Sequence, residues 1–141
     1  MNYEIVQEAE TWLGVKYQHR SCSKFGCDCT GLIVGVMKSL GHIKDYTLRN
    51  YPKDWNMHAM ADNHIEEEIS KFADKVSKPV QGDIVLFKFK HQKFVAHIGI
   101  LLEDGLFIHS WEKAGRVQIS SMSRWKSHVD SYYRFNEDKV K

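Results

Sequence analysis

The chain has 141 residues, 43% of them hydrophobic and 12% aromatic, with only two prolines. That is a globular composition, sized for one domain (residues 1–141) around one core. A formal charge of +2 with no dense Lys/Arg stripe gives no ground for nucleic-acid binding.

Ile5, Ala9, Trp12 and Leu13 recur at helical spacing over residues 3–13, with Asn2 as a candidate N-cap and Gly14 as the stop. Residues 14–27 read as a polar loop. A second helix starts at Asp28 or Cys29, buries Leu32, Ile33, Val36, Met37 and Leu40 on one face, and stops at Gly41. Residues 42–61 are irregular and aromatic, with Tyr46, Tyr51 and Trp55. Asp62 or Asn63 caps a third helix running through Ile65, Ile69, Phe72, Ala73 and Val76. Beyond Pro79 and Gly82 the character changes. DIVLFKF, AHIGILLE, LFIHSW, RVQIS and SYYRF are short β-branched or aromatic runs, the mark of strands. Helices first and strands second predict an α+β fold, an antiparallel sheet packed against N-terminal helices. No apolar run approaches a membrane span. The opening MNYEIVQEAETWLGV lacks the basic and apolar regions of a signal peptide, so synthesis in the cytoplasm is expected.

All three cysteines fall within CSKFGCDC, residues 22–29. An odd count argues against a disulfide framework. The spacing C-x-x-x-x-C-x-C lacks the second pair that structural zinc needs, so no metal is expected. Cys22 and Cys27 are assigned to packing, the usual fate of a free cysteine. Cys29 differs by its address. The first turn of a helix offers unpaired N–H groups and the positive end of the dipole, which favour the reactive thiolate. Asp28 is a natural N-cap beside it, and Gly31 marks a close approach by a strand or ligand.

A nucleophilic cysteine needs a base, and the base an orienting partner. His97 in VAHIGIL and His109 in LFIHSW lie in adjacent predicted strands. Their geometry depends on the turn between them. A two-residue hairpin at Asp104-Gly105 pairs Ile100 with His109 and puts the histidines on opposite faces. A three-residue loop, with Gly105 left-handed, or a bulge puts both on one face. Gly99 then lies beside His97 and lets the cysteine-bearing helix come close.

GVKY, GCDCTGLI, GDIVLF and AHIGILLEDGLFIHSW, in that order, resemble the NlpC-type cell-wall cysteine peptidases, whose fold is papain-like. WLGVKYQH, Asp54-Trp55, and Trp125 ahead of YYRF resemble a branch found in phage tails, prophages and gene transfer agents. The common W-G-G after the tyrosine is missing; residues 18–20 are Gln, His and Arg. The resemblance implies hydrolysis of an amide in the peptide stem of peptidoglycan, next to D-glutamate, without a cofactor. Cys29 is then the nucleophile, its sulfur near a His97 ring nitrogen, with His97 the general base and His109 its orienting partner. Tyr17 and Asp28 serve substrate or oxyanion, and His19 lines the cleft. The four tryptophans are read as core or groove walls. The branch implies phage-like tail proteins as partners and incorporation in a tail particle. Two alternatives stand beside this reading: a papain-like amidase or acyltransferase acting on a small amide or lipid, and a tail-assembly protein with a vestigial site.

Overall fold

A computed structural model of the chain describes residues 2–43 and 63–140. In chain order the elements begin with helix α1 (Asn2–Glu10), two-residue strands β1 (Cys22–Ser23) and β2 (Gly26–Cys27), and helices α2 (Cys29–Ser39) and α3 (His64–Ser70). Strands β3 (Ala73–Val76), β4 (Ile84–Phe87), β5 (His97–Leu101), β6 (Leu106–Trp111) and β7 (Arg116–Ser121) follow. The single-turn helix α4 (Met122–Trp125) and strand β8 (Val129–Phe135) come last. Six strands make one antiparallel sheet in the order β3-β8-β4-β5-β6-β7. The fold is α+β, as expected from the order of the runs.

Alternation along the strands gives this sheet two unlike faces. Ile84, Leu86, Ile98, Ile100 and Ile108 join Leu32, Ile33, Val36 and Met37 of α2, and Ile5 and Ala9 of α1, in the main core. Val85, Phe87, Leu101 and Phe107 form a smaller cluster on the opposite face, backed by Met122 and Trp125 of α4. Each fully buried aliphatic side chain contributes roughly 1.5–3 kcal/mol, so this packing, and not helix propensity, holds α2. Every residue of α2 from Cys29 to Met37 is buried, more than the single face expected. Residues 14–27 cover the other side: a β-carbon on Gly31 would stand 1.8 Å from Ser21 O. The close approach expected at Gly31 is therefore made by this chain's own loop backbone, not by a strand or ligand.

Several local expectations change. Asn2 does not act as a side-chain cap. Its Nδ2 donates to Gln81 O and Asp83 Oδ1, both at 2.9 Å. The buried Asp83 carboxylate also accepts from Arg134 Nε and Nη2, each at 2.9 Å, and so ties α1 to the start of β4 and to β8. Residues 14–27 are not a plain loop, because they contain the β1–β2 hairpin. The third helix stops at Ser70, and Ala73–Val76 pairs with β8 as an edge strand. Ala73 and Val76 keep a helical spacing, and the ladder to Phe135–Tyr132 overrides it. Tyr46, Tyr51, Asp54, Trp55 and the Asp62 cap lie outside the described residues.

Candidate active site

Asp28 caps α2 as expected. Its Oδ1 accepts from Gly31 N at 2.7 Å, and its Oδ2 accepts from Arg20 N at 2.8 Å. One buried carboxylate therefore fixes both the helix start and the loop before it. Cys29, the first residue of α2, is 2% exposed. Its Sγ meets Thr30 Oγ1 at 4.0 Å. Burial first, and the Asp28 carboxylate second, push this thiol well above its ordinary pKa. That reverses the thiolate expected at a helix start. Burial likewise pushes the Cys27 thiol up to about 12, against an opposing hydrogen bond from Ser110.

The β5–β6 connection settles the histidine geometry. Ile100 pairs with Ile108 and Leu101 with Phe107, and Leu102 N donates to Leu106 O at 2.8 Å. The loop is thus three residues, Glu103-Asp104-Gly105, with φ of +59° at Asp104 and +71° at Gly105. Both histidines consequently stand on one face, and His97 Nε2 lies 2.7 Å from His109 Nδ1. His109 Nε2 in turn lies 2.8 Å from Ser120 Oγ, to which Gln118 Nε2 donates at 3.3 Å. Burial lowers the pKa of His109 to about 4. For His97, burial and then the neighbouring His109 lower it well below the ordinary value. Both imidazoles are neutral at pH 7, so one ring donates and the other accepts across the 2.7 Å contact.

This pair is walled by aromatic rings. Trp125 lies 5.6 Å from His97 and 5.1 Å from His109 by ring centroids. Phe87 and Phe89 stack on His97 at 5.9 and 6.4 Å, and Trp111 packs on Trp125 at 4.8 Å. Trp111 and Trp125 are half-buried, packed on the histidine pair and on each other. Gly99 makes room for His109 and Phe107, not for α2: an added β-carbon would meet Phe107 Cδ2 at 2.9 Å and His109 Cβ at 3.3 Å.

Cys29 and His97 sit at element ends, one opening α2 and the other opening β5. Among the described residues no hydrogen bond joins them. His97 shares its face with Phe87 and Gly99, opposite the face that α2 covers. His97 Nδ1 is the ring nitrogen that His109 leaves unused. Tyr17 is half-buried, donates its N–H to Gly115 O at 2.9 Å, and bridges Cys27 two residues before Cys29. His19 is half-buried on the same loop, its carbonyl accepting from Ser21 Oγ at 3.4 Å. Sequence reasoning missed Ser120. The signal lay in register: β7 places Gln118 opposite His109 and Ser120 opposite Phe107, so both polar residues share the histidine face. It also missed Ser110, whose Oγ donates to Cys27 O at 2.7 Å and ties β6 to the α2 entry.

Helices ahead of an antiparallel sheet, with a thiol on a helix start and paired imidazoles on the strands, define a papain-like fold. The chain belongs to the NlpC/P60 family, whose model matches residues 14–134. It is 31% identical over 135 residues to the gamma-DL-glutamyl hydrolase of Bacillus subtilis, covering 94% of this chain and 29% of that protein. It is 26% identical to the murein DD-endopeptidase MepS/murein LD-carboxypeptidase of Escherichia coli, covering 94% and 59%. With the gamma-D-glutamyl-L-lysine dipeptidyl-peptidase of B. subtilis it shares 23% identity, covering 85% and 36%. The chain thus spans between about a third and three fifths of these curated relatives. Among solved structures, the NlpC/p60 domain of peptidoglycan hydrolase SagA superposes with a TM-score of 0.66 at 18% identity, covering 96% of this chain and 99% of that one. NlpC1 from Trichomonas vaginalis gives 0.68 at 19%, covering 95% and 44%.

Proposed function

We propose that the protein is a cysteine endopeptidase that hydrolyses an amide in the peptide stem of peptidoglycan, next to D-glutamate. The observation that carries this reading is the buried His97–His109 pair on the sheet of a chain whose α2 opens with a capped Cys29. The relatives named for γ-glutamyl hydrolysis support the choice of bond.

Cys29 Sγ attacks the carbonyl carbon while His97 Nδ1 takes the thiol proton. His97 then protonates the leaving amine, and water releases the acyl-enzyme through the same base. His109 holds His97 in one tautomer and orientation. The Cys29 N–H at the helix start stabilises the oxyanion, with Tyr17 as second donor. Asp28, buried and committed to the Gly31 and Arg20 amides, acts through the helix cap, and His19 borders the cleft. The narrower reading, a phage-like tail component made in the cytoplasm and carried on a particle, rests on WLGVKYQH, Asp54-Trp55 and Trp125.

Mass spectrometry of muropeptides before and after incubation tests the reaction and the bond together. Wild type is expected to release stem fragments ending at D-glutamate, and Cys29→Ala none. Turnover of a lipid or small amide with intact walls would favour the other papain-like chemistry. Particle assembly lost in Cys29→Ala without any hydrolysis by wild type would make the site vestigial.

A further inference from the structure

The mechanism leaves two cysteines unused, and the hairpin places them together. Cys22 in β1 is directly opposite Cys27 in β2. Backbone hydrogen bonds define the kind of pair. Asp28 N donates to Ser21 O at 3.2 Å, one step outside it. Cys27 is bonded on its other side, donating to Lys16 O at 3.0 Å and accepting from Gln18 N at 3.1 Å. Cys22 and Cys27 are therefore a non-hydrogen-bonded antiparallel pair. Such pairs hold their α-carbons about 4.5 Å apart with side chains on one face. A disulfide spans α-carbons about 4.4–6.8 Å apart, so the register suits a bridge without backbone movement. Both thiols are free in this structure, Cys22 half-buried and Cys27 buried.

We propose that Cys22 and Cys27 are a disulfide-forming pair, closed by exchange with a small disulfide oxidant such as oxidised glutathione. The accessible Cys22 thiolate attacks one sulfur of the oxidant, forming a mixed disulfide and expelling the first thiolate. Cys27 then loses its proton, attacks the Cys22 sulfur and expels the second. Two protein thiols are oxidised, one external disulfide is reduced to two thiols, and the two protons end on those thiols. Deprotonating the buried Cys27 makes the second step the slower one. The bridge would lock the hairpin whose Ser21 carbonyl lies on Gly31, and with it the entry to Asp28 and Cys29. Cys29, inside α2, stays a thiol.

Lys24 lies between the pair, so trypsin separates residues 21–24 from 25–38 unless a disulfide joins them. The protein is equilibrated with oxidised glutathione, quenched in acid, alkylated under denaturing conditions and mapped. The expected result is peptide 21–24 linked to 25–38, with alkylation on Cys29 alone. An internal Cys27–Cys29 loop within 25–38, glutathione retained on Cys22, or three alkylated cysteines would each overturn the proposal. Closing so short a loop is expected to raise the thermal midpoint by about 5 °C. In Cys22→Ser, at a half-buried position, that shift is expected to vanish; a shift that persists would also overturn the proposal. Neither readout depends on hydrolysis, so failure here is separate from failure of the peptidase reading.

Discussion

At Cys29 two influences oppose each other, and their sizes decide the resting state. A helix start favours a thiolate by up to ~2 kcal/mol. An unpaired buried charge costs several kcal/mol, and the Asp28 carboxylate adds repulsion. Burial wins, so the resting site holds a neutral thiol and neutral imidazoles rather than a preformed ion pair. Site-resolved iodoacetamide labelling of Cys29 is therefore expected to be slow at pH 7 and to accelerate steadily above pH 8. A rate already at its plateau by pH 6 would show a resting thiolate and contradict this account. Ser120 makes a second test at this scale. Ser120→Ala removes one hydrogen bond from His109, worth ~1 kcal/mol, and is expected to lower kcat about 5-fold. KM should hold, and Ser120→Thr should restore the rate; equal loss in both variants would point to packing instead.

The loop before α2 and the helix act as one element. Gly31→Ala would drive a methyl into Ser21 O, which is backbone and cannot swing aside. We expect a loss of roughly 2–3 kcal/mol, seen as a lower urea midpoint, together with faster hydrogen exchange at Arg20 and Gly31 amides. Unchanged stability would mean that the loop yields freely. Much at this scale was legible beforehand. The β4–β8 runs declared themselves by composition, and Asp28 by its place ahead of an apolar run. The end of α3 was not legible, because Ala73 and Val76 continue the helical spacing and only the ladder to β8 overrides it. Nor was the thiol state, since the near-complete burial of Cys29 has no signature in the local sequence. Ser120 escaped because its partner lies across two strands. The histidine pair stood between these cases: its residues were visible, and its geometry waited on the length of one loop.

Across the whole molecule, placing two neutral histidines in the interior makes stability depend on pH. His109 titrates near 4 when folded and near 6.5 when unfolded. Between those values the unfolded chain binds a proton that the folded one refuses. Stability is therefore full above pH 6.5 and falls as the pH drops toward 4. By pH 5 the loss from His109 is about 2 kcal/mol, with His97 acting in the same direction. Urea midpoints at pH 7 and pH 5 measure it, and His109→Gln should shrink the difference. A wild-type midpoint that does not change between the two would mean that the pair is solvated.

The Glu103–Gly105 loop touches none of the chemistry, yet it is a chemical determinant. It works as a parity device: three residues send His109 to the aromatic side of the sheet, whereas two would send Ile108 there and bury His109 against α2. Shortening it by Asp104 leaves every proposed catalytic residue in the sequence and removes the partner of His97. Hydrolysis should then be abolished, and restored by reinserting any one residue that tolerates the left-handed turn. In this chain the length of that loop therefore decides the histidine pairing as firmly as the histidines themselves.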